Sequence, residues 1–226
     1  MIKLNKIFSS RGDSKPLLFL TAMRKESEIL FRGNTFQEKI RSGRTGLYQL
    51  QHYPVYLLET GIGIKDSKKT LRQIIQEVNP GISVNFGICG ALDPQIKIYN
   101  AYLIDDVHYP GKKFLSLSQN VNRIFSSTNF PLKLNNLLTL KKPLLNKLEK
   151  LDYFKKYSIP LVDMEGYLFA EIIENLHIPL FMVKVVSDAL EGEVKELVYG
   201  NSEKWQAKLE STLEVILTSG IDKIFH

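Results

Sequence analysis

Short apolar runs alternate with amphipathic stretches along most of the chain. LLFLT (Leu17–Thr21) carries no charge and reads as a buried strand, with a helical pattern from Ala22 onward. GLYQL (Gly46–Leu50) and VYLLE (Val55–Glu59) flank Gln51–Pro54 and read as a hairpin. From Ile64 to Val78, the apolar positions Ile64, Leu71, Ile74 and Val78 share one helical face. Lys65, Lys68, Lys69 and Arg72 lie elsewhere, and Asn79-Pro80-Gly81 stops the helix. ISVNF (Ile82–Phe86) and AYLIDDV (Ala101–Val107) are the next predicted strands. Residues 110–136 hold Ser, Asn and Lys with scattered aromatics and read as loop with short elements. NLLTL (136–140) and SIPLVD (158–163) read as strands flanking a helix near 143–152. A helix from Met164 to Leu176 precedes IPLFMVKVVSD (178–188), the longest apolar strand. A last helix over about 202–218 carries the stripe Trp205, Leu209, Leu213, Ile216 and Leu217.

Strands alternating with helices predict an α/β fold with a largely buried central sheet. No linker, repeat or low-complexity tract divides residues 1–226, so one domain is expected, with 1–16 left free to be flexible. The composition, 44% apolar and 24% charged, is that of an ordinary globular protein. A single cysteine excludes an internal disulfide framework. No signal peptide and no run of about 20 apolar residues is present, so a cytoplasmic protein without membrane contact is expected. Lys and Arg number 30 against 24 Asp and Glu, but the excess of +6 is scattered in doublets such as Lys68–Lys69 and Lys141–Lys142. No dense basic block with interleaved aromatics appears, and nucleic acid is not an expected partner.

Two glutamates interrupt this orderly picture. In the helix after LVD, Met164, Leu168, Phe169, Ile172, Ile173 and Leu176 define an apolar arc, and Glu165 falls in its middle. After LLFLT, Ala22, Met23, Ile29 and Leu30 define another, and Glu26 is centred on it. A carboxylate on an apolar stripe is buried or faces a cavity, and burial without a partner is costly. A purely structural account also stands for each: an acid in a first turn suits the helix dipole, and Asp163 is a natural N-cap. Asp188, after Ser187, ends the longest apolar strand. In open α/β sheets the ligand crevice lies at the carboxyl ends of strands. Three acids at three strand ends therefore form a better candidate site than any one of them.

Glycines add a weaker signal. Gly61-Ile62-Gly63 could present backbone N–H groups to an anion or serve close packing, and it lacks the third glycine of a dinucleotide fingerprint. Gly87-Ile88-Cys89-Gly90 reads as a second tight turn at a strand's end. His52, His108, His177, His226 and Cys89 show no metal-ligand spacing, so neither a metal nor a cofactor is expected. Cys89, without a histidine partner, reads as a small residue packed in that turn.

Five segments occur in order: TAMRKE (21–26), TGIGIK (60–65), VNFGICGALDP (84–94), VDMEG (162–166) and VVSDAL (185–190). Together they resemble the nucleoside phosphorylase and nucleosidase family, over about residues 17 to 190. That family includes methylthioadenosine/S-adenosylhomocysteine nucleosidases, futalosine hydrolases and purine nucleoside phosphorylases. The resemblance implies a three-layer α/β/α fold around a mixed sheet, usually in a homodimer or larger oligomer. It also implies roles: Asp188 as the acid at purine N7, Glu165 holding the ribose hydroxyls and Glu26 activating water. Met164, Ser187, Gly87, Ile88, Cys89 and Gly90 are the implied substrate-binding positions. Ile88 stands where methylthioadenosine nucleosidases usually have Ser, and Lys184 where they usually have Arg. LLTLKKPLLNKLEK looks more like the shorter branches, among them hopanoid-associated phosphorylases. Glu26 would repel a phosphate and suits a water, so hydrolysis of a purine nucleoside is expected. Phosphorolysis, with Lys25 or Lys184 compensating, and non-catalytic nucleoside binding are the alternatives.

Overall fold

The computed structural model describes residues 1–8, 15–63, 68–119, 132–190 and 196–219. Its centre is β1 (Leu17–Thr21), buried at all five positions as an uncharged run between two layers must be. β1 pairs in parallel with β4 (Val55–Glu59) on one side and β5 (Ile82–Ala91) on the other. β5 also runs parallel to β10 (Leu180–Asp188), with Lys184 opposite Gly87 and Val186 opposite Cys89. Beyond β4 lie β3 (Thr45–Leu50) and the edge strand β2 (Phe36–Ser42), both antiparallel. On the other side, β6 (Ala101–His108), β8 (Lys133–Thr139) and β9 (Leu161–Asp163) curl the sheet round until β9 meets β5 again. A two-residue strand, β7 (Leu115–Ser116), hangs on β6. The sheet is therefore mixed.

Successive side chains on β1 point to opposite faces, and each face has its own core. Leu17 and Phe19 pack with Ile29 and Leu30 of α2 (Arg24–Phe31) and with Trp205, Leu209 and Leu213 of α6 (Ser202–Ser219). Leu18 and Leu20 pack with Leu71 and Ile75 of α3 (Lys68–Val78) and with Phe169 and Ile173 of α5 (Gly166–Glu174). Helices thus cover both faces, in three layers. A third, smaller core joins Leu138, Leu140 and Val162 to Tyr153 and Phe154 of α4 (Lys147–Tyr157). The Asn146 side chain accepts from Glu149 N at 2.9 Å to start α4, and Ser158, left-handed at φ 53°, ends it. Among the described residues no helix is long and apolar enough to cross a membrane.

The structure departs from the sequence pattern in places that bear on the site. Gly87-Ile88-Cys89-Gly90 is not a turn: β5 runs straight through it, because β10 and then β9 continue the pairing. The helix expected from Met164 begins at Gly166, leaving Glu165 at the N-cap (φ −131°). The helix expected near 143–152 lies at 147–157, SIPLVD forms a strand only at Leu161–Asp163, and β8 starts earlier than NLLTL. Ile2 and Leu4, from α1 (Leu4–Ile7) and the residues before it, are fully buried in the core and Phe8 nearly so, which anchors residues 1–8 although the sequence pattern allows 1–16 to be flexible. Residues 64–67 of the expected Ile64–Val78 helix and much of 110–136 lie outside the described residues.

Candidate active site

The carboxyl ends of β1, β5, β9 and β10 open on one cavity of about 340 Å³. Glu26, Glu165 and Asp188 all line it, together with Met164, Ser187, Ile88, Cys89, Gly90 and Asp163. Ile62, Leu144, Leu145, Val162 and Val198 complete a mostly apolar wall, and Tyr199 is the aromatic ring in it among the described residues.

Glu26 is 3% exposed. Its Oε2 accepts from Thr21 Oγ1 at 2.6 Å, Ala22 N at 3.1 Å and Met23 N at 2.9 Å. Its Oε1 accepts from Ile88 N at 2.9 Å. Glu26 thus caps its own helix and also faces the cavity. A Cβ on Gly87 would stand 2.5 Å from Glu26 Oε1. Gly87 is thus a glycine because the neighbouring acid occupies its side-chain volume, and it makes room for Glu26 instead of lining the cavity.

Glu165 Oε1 accepts from Gly63 N at 2.6 Å. The acceptor to which Gly61-Ile62-Gly63 presents an N–H is therefore one of the protein's own carboxyl groups. Gly61 and Gly63 have φ of 75° and 78°, which a side chain would strain. Burial, with Asp163 and Glu26 adding their charge, pushes the Glu165 carboxyl up to about 8, against the opposing Gly63 N–H and Lys184. Beside it, Asp163 accepts from Thr139 Oγ1 at 2.7 Å, from Gly166 N at 2.9 Å and from Lys184 Nζ at 2.9 Å. Asp163 so caps α5 from two residues outside the N-cap. Burial works against the Lys184 ammonium, but Asp163, Glu26 and Glu165 outweigh it and hold it above the usual lysine range.

Asp188 closes β10. Its Oδ1 accepts from Ser187 Oγ at 2.9 Å, and its Oδ2 from Lys150 Nζ at 2.5 Å. A Cβ on Gly90 would lie 3.0 Å from that same Oδ2. Burial pushes the Cys89 thiol far above its ordinary range, so Cys89 is a wall and not a nucleophile. Among the described residues no group of His, Cys, Asp and Glu is arranged to hold a metal.

Sequence reasoning found the three acids and missed Lys150, Asp163 and Thr139 as members of the site. Lys150 had a usable signal. It stands three, four and seven residues before Tyr153, Phe154 and Tyr157, on the apolar face of α4. The test that singled out the glutamates applies to it equally.

The model of the phosphorylase superfamily matches residues 17–219. The chain is 22% identical over 195 residues to the 5'-methylthioadenosine/S-adenosylhomocysteine nucleosidase of Staphylococcus haemolyticus, covering 76% of this chain and 86% of that one. The Staphylococcus aureus nucleosidase of the same name is 24% identical over 221 residues, covering 87% and 96%. Among solved structures, a Helicobacter pylori futalosine hydrolase mutant superposes with a TM-score of 0.75 at 17% identity, covering 90% of this chain and 98% of that one. A Helicobacter pylori 5'-methylthioadenosine/S-adenosylhomocysteine nucleosidase mutant, solved with 5'-methylthioadenosine in its active site, gives 0.76 at 16% identity, covering 91% and 99%. With the family match spanning nearly the whole sheet and every acid of the cavity, the chain belongs to the phosphorylase superfamily.

Proposed function

We propose that this chain hydrolyses the N-glycosidic bond of a purine nucleoside, of the kind its nucleosidase and futalosine hydrolase relatives are named for. The observation that carries the proposal is the state of Glu26. Its two oxygens take the N–H groups of Ala22, Met23 and Ile88 and the Thr21 hydroxyl. Those are the donors a phosphate would need at this end of the sheet, and a fixed carboxylate repels it. Lys184 does not compensate, since it is buried against Asp163; Lys142 lines the cavity wall but removes none of the four contacts that fix Glu26. Lys25 Nζ lies 3.3 Å from Ser202 Oγ and 3.4 Å from the Tyr199 carbonyl. Water is the better nucleophile for such a site.

In this scheme Asp188 protonates N7 as the C1'–N9 bond breaks, so that the electron pair leaves on a neutral base. General acid help of this kind is worth about 10²–10⁴-fold. Glu165 receives the ribose hydroxyls, and Glu26 orients a water toward C1' and takes its proton. The apolar wall of Ile62, Leu144, Leu145 and Val198 excludes other water and suits an uncharged 5' substituent. The enzyme is taken to be cytoplasmic and homo-oligomeric. In support of the second, Leu145 and Tyr199 stand 58% and 50% exposed on the cavity wall, where a second copy would cover them. Light scattering on a sizing column tests that part, and a monomer overturns it.

The experiment is incubation with 5'-methylthioadenosine, S-adenosylhomocysteine, futalosine, adenosine and inosine, with and without phosphate, followed by identification of the freed base and sugar. Free base with unphosphorylated sugar is expected. Cleavage only in the presence of phosphate would assign phosphorolysis instead.

A further inference from the structure

Lys150 has no place in the scheme above, yet it is among the best-buried polar residues of the chain. Its side chain is 2% exposed, with Nζ 2.5 Å from Asp188 Oδ2 and 2.7 Å from the Ala189 carbonyl. An ammonium persists in such a place only when paired and hydrogen-bonded, and both of its acceptors lie at the end of β10. Lys150 comes from α4, which otherwise packs through Tyr153, Phe154 and Tyr157. The helix thus delivers one cation to one carboxylate. It does not line the cavity, because Asp188 stands in front of it.

This arrangement creates a chemical problem for a general acid. A carboxylate against an ammonium has its shared proton on nitrogen, and a bare carboxylate protonates nothing. The Ser187 hydroxyl, which donates to the other Asp188 oxygen, is too weak an acid to supply the missing proton.

We propose that Lys150 is the proton reservoir of the reaction and acts through Asp188. Its basis is the assignment of Asp188 as the acid at N7. As negative charge develops on the base, one N–H bond of the Lys150 ammonium breaks and an O–H bond forms on Asp188. The carboxyl passes a proton to N7 while the C1'–N9 electron pair moves into the purine ring. Asp188 ends as a carboxylate, Lys150 as a neutral amine, and the base leaves neutral, with its new proton on N7. Water adds to C1' and loses its proton to Glu26. Water in the emptied cavity then returns a proton to Lys150 by way of Asp188, which faces the cavity, and removes the one on Glu26, so that one water is consumed and no proton is gained or lost overall. Among the described residues, the other ionisable groups around the pair and its cavity are Cys89 from β5, Asp163 from β9, Lys184 from β10, Lys142 and Tyr199 on the cavity wall, and Glu26 and Glu165 across it. Of these, Lys184 is committed to Asp163 and Lys142 lines the cavity wall; among the described residues Lys150 is the cation that pairs with Asp188.

The test is base release from the best substrate of the panel, measured from pH 5 to 10, for wild type, Lys150→Met, Lys150→Arg and Asp188→Asn, each checked by circular dichroism. In Lys150→Met a lone Asp188 must carry its own proton. Turnover should fall more steeply than that of wild type as pH rises, by about 10²-fold or more across the range, and KM should stay within about threefold. Arg keeps the charge but holds its proton at every accessible pH, so Lys150→Arg should fold and lose about 10²-fold throughout. If Lys150 were only a counter-ion, Arg would restore turnover, and that result overturns the proposal even if Lys150→Met fails to fold. A Lys150→Met profile superimposable on wild type, with Asp188→Asn inactive, overturns it too and leaves Asp188 as the acid. Full turnover in Asp188→Asn overturns the assignment of Asp188, and the role of Lys150 falls with it.

Discussion

The two ends of the cavity balance charge in opposite ways. At one end a single carboxylate, Asp188, meets a single ammonium, Lys150. At the other, Glu26, Asp163 and Glu165 crowd around Lys184, which among the described residues pairs directly with Asp163. The same low-dielectric surroundings then give different results. The matched end settles as an ion pair. The crowded end cannot ionise fully, and the excess is relieved at Glu165, whose carboxyl keeps its proton to about pH 8. One end stores a proton on nitrogen and the other stores it on oxygen.

Four substitutions test that contrast. Asp188→Asn removes the acid while leaving an oxygen for Lys150 to donate to. Turnover should fall by about 10³-fold with the far-ultraviolet dichroism unchanged. A variant that still releases base at the wild-type rate would break the contrast at its matched end. Glu26→Gln comes next. An amide NH₂ must then face one of the four donors now satisfied by the carboxylate, at a cost of about 1–3 kcal/mol. Turnover should drop about 10²-fold by steady-state assay, with a lower melting temperature. Unchanged values on both counts would mean that Glu26 is neither base nor anchor.

Gly87→Ala is subtler, since it forces Glu26 Oε1 away from a Cβ that would lie 2.5 Å from it. A displacement near 1 Å at a reacting group costs up to about 10²-fold, so a loss of about tenfold in kcat with little change in KM is expected. The smallest effect on turnover is not the point of Glu165→Gln, which is read by stability. Glu165 titrates near 8 in the fold against an ordinary 4.5. Between those values the folded chain keeps a proton that the unfolded chain has lost. Its contribution to stability is therefore full below pH 4.5 and is lost as pH rises toward and through 8. Gln carries no titrating proton and keeps an acceptor for Gly63 N. Thermal melts should show a flatter profile for the variant and, at pH 8.5, a gain over wild type of about 3 °C or more, taking roughly 2–4 °C per kcal/mol at this length. Parallel curves for the two proteins would show that the crowded end is fully ionised.

Much of this was legible because burial leaves a period in the sequence. LLFLT, VYLLE and IPLFMVKVVSD are buried strands and look it, and the stripe from Trp205 to Leu217 is the packed face of α6. Glu26 and Glu165 were visible as acids on apolar faces, although Glu165 stands at the N-cap and its position rests on Gly63 more than on helical phase. β2 was invisible for the converse reason. As an edge strand it is mostly exposed, so FQEKIRS carries no apolar alternation. β9 is held by pairing to β5 and β8 over only three residues, which no local pattern reports. Asp163 and Lys184 each look ordinary alone, and only the sheet brings them together.

β5 has a consequence for how this chain tolerates change. From Ile82 to Phe86 its side chains fill the cores, and truncating them costs cavities and stability. At Gly87 and Gly90 the strand contributes absence: its neighbours' carboxylates occupy the space a side chain would take. A library screened for soluble, folded protein would be stringent over the first half of the strand and would still admit the smallest side chains at these glycines, where the end of a carboxylate side chain can give way. Screened for base release, the same library would be stringent at both. Variants at these glycines that pass the first screen and fail the second would be folded, inactive controls with every acid of the cavity still in the sequence.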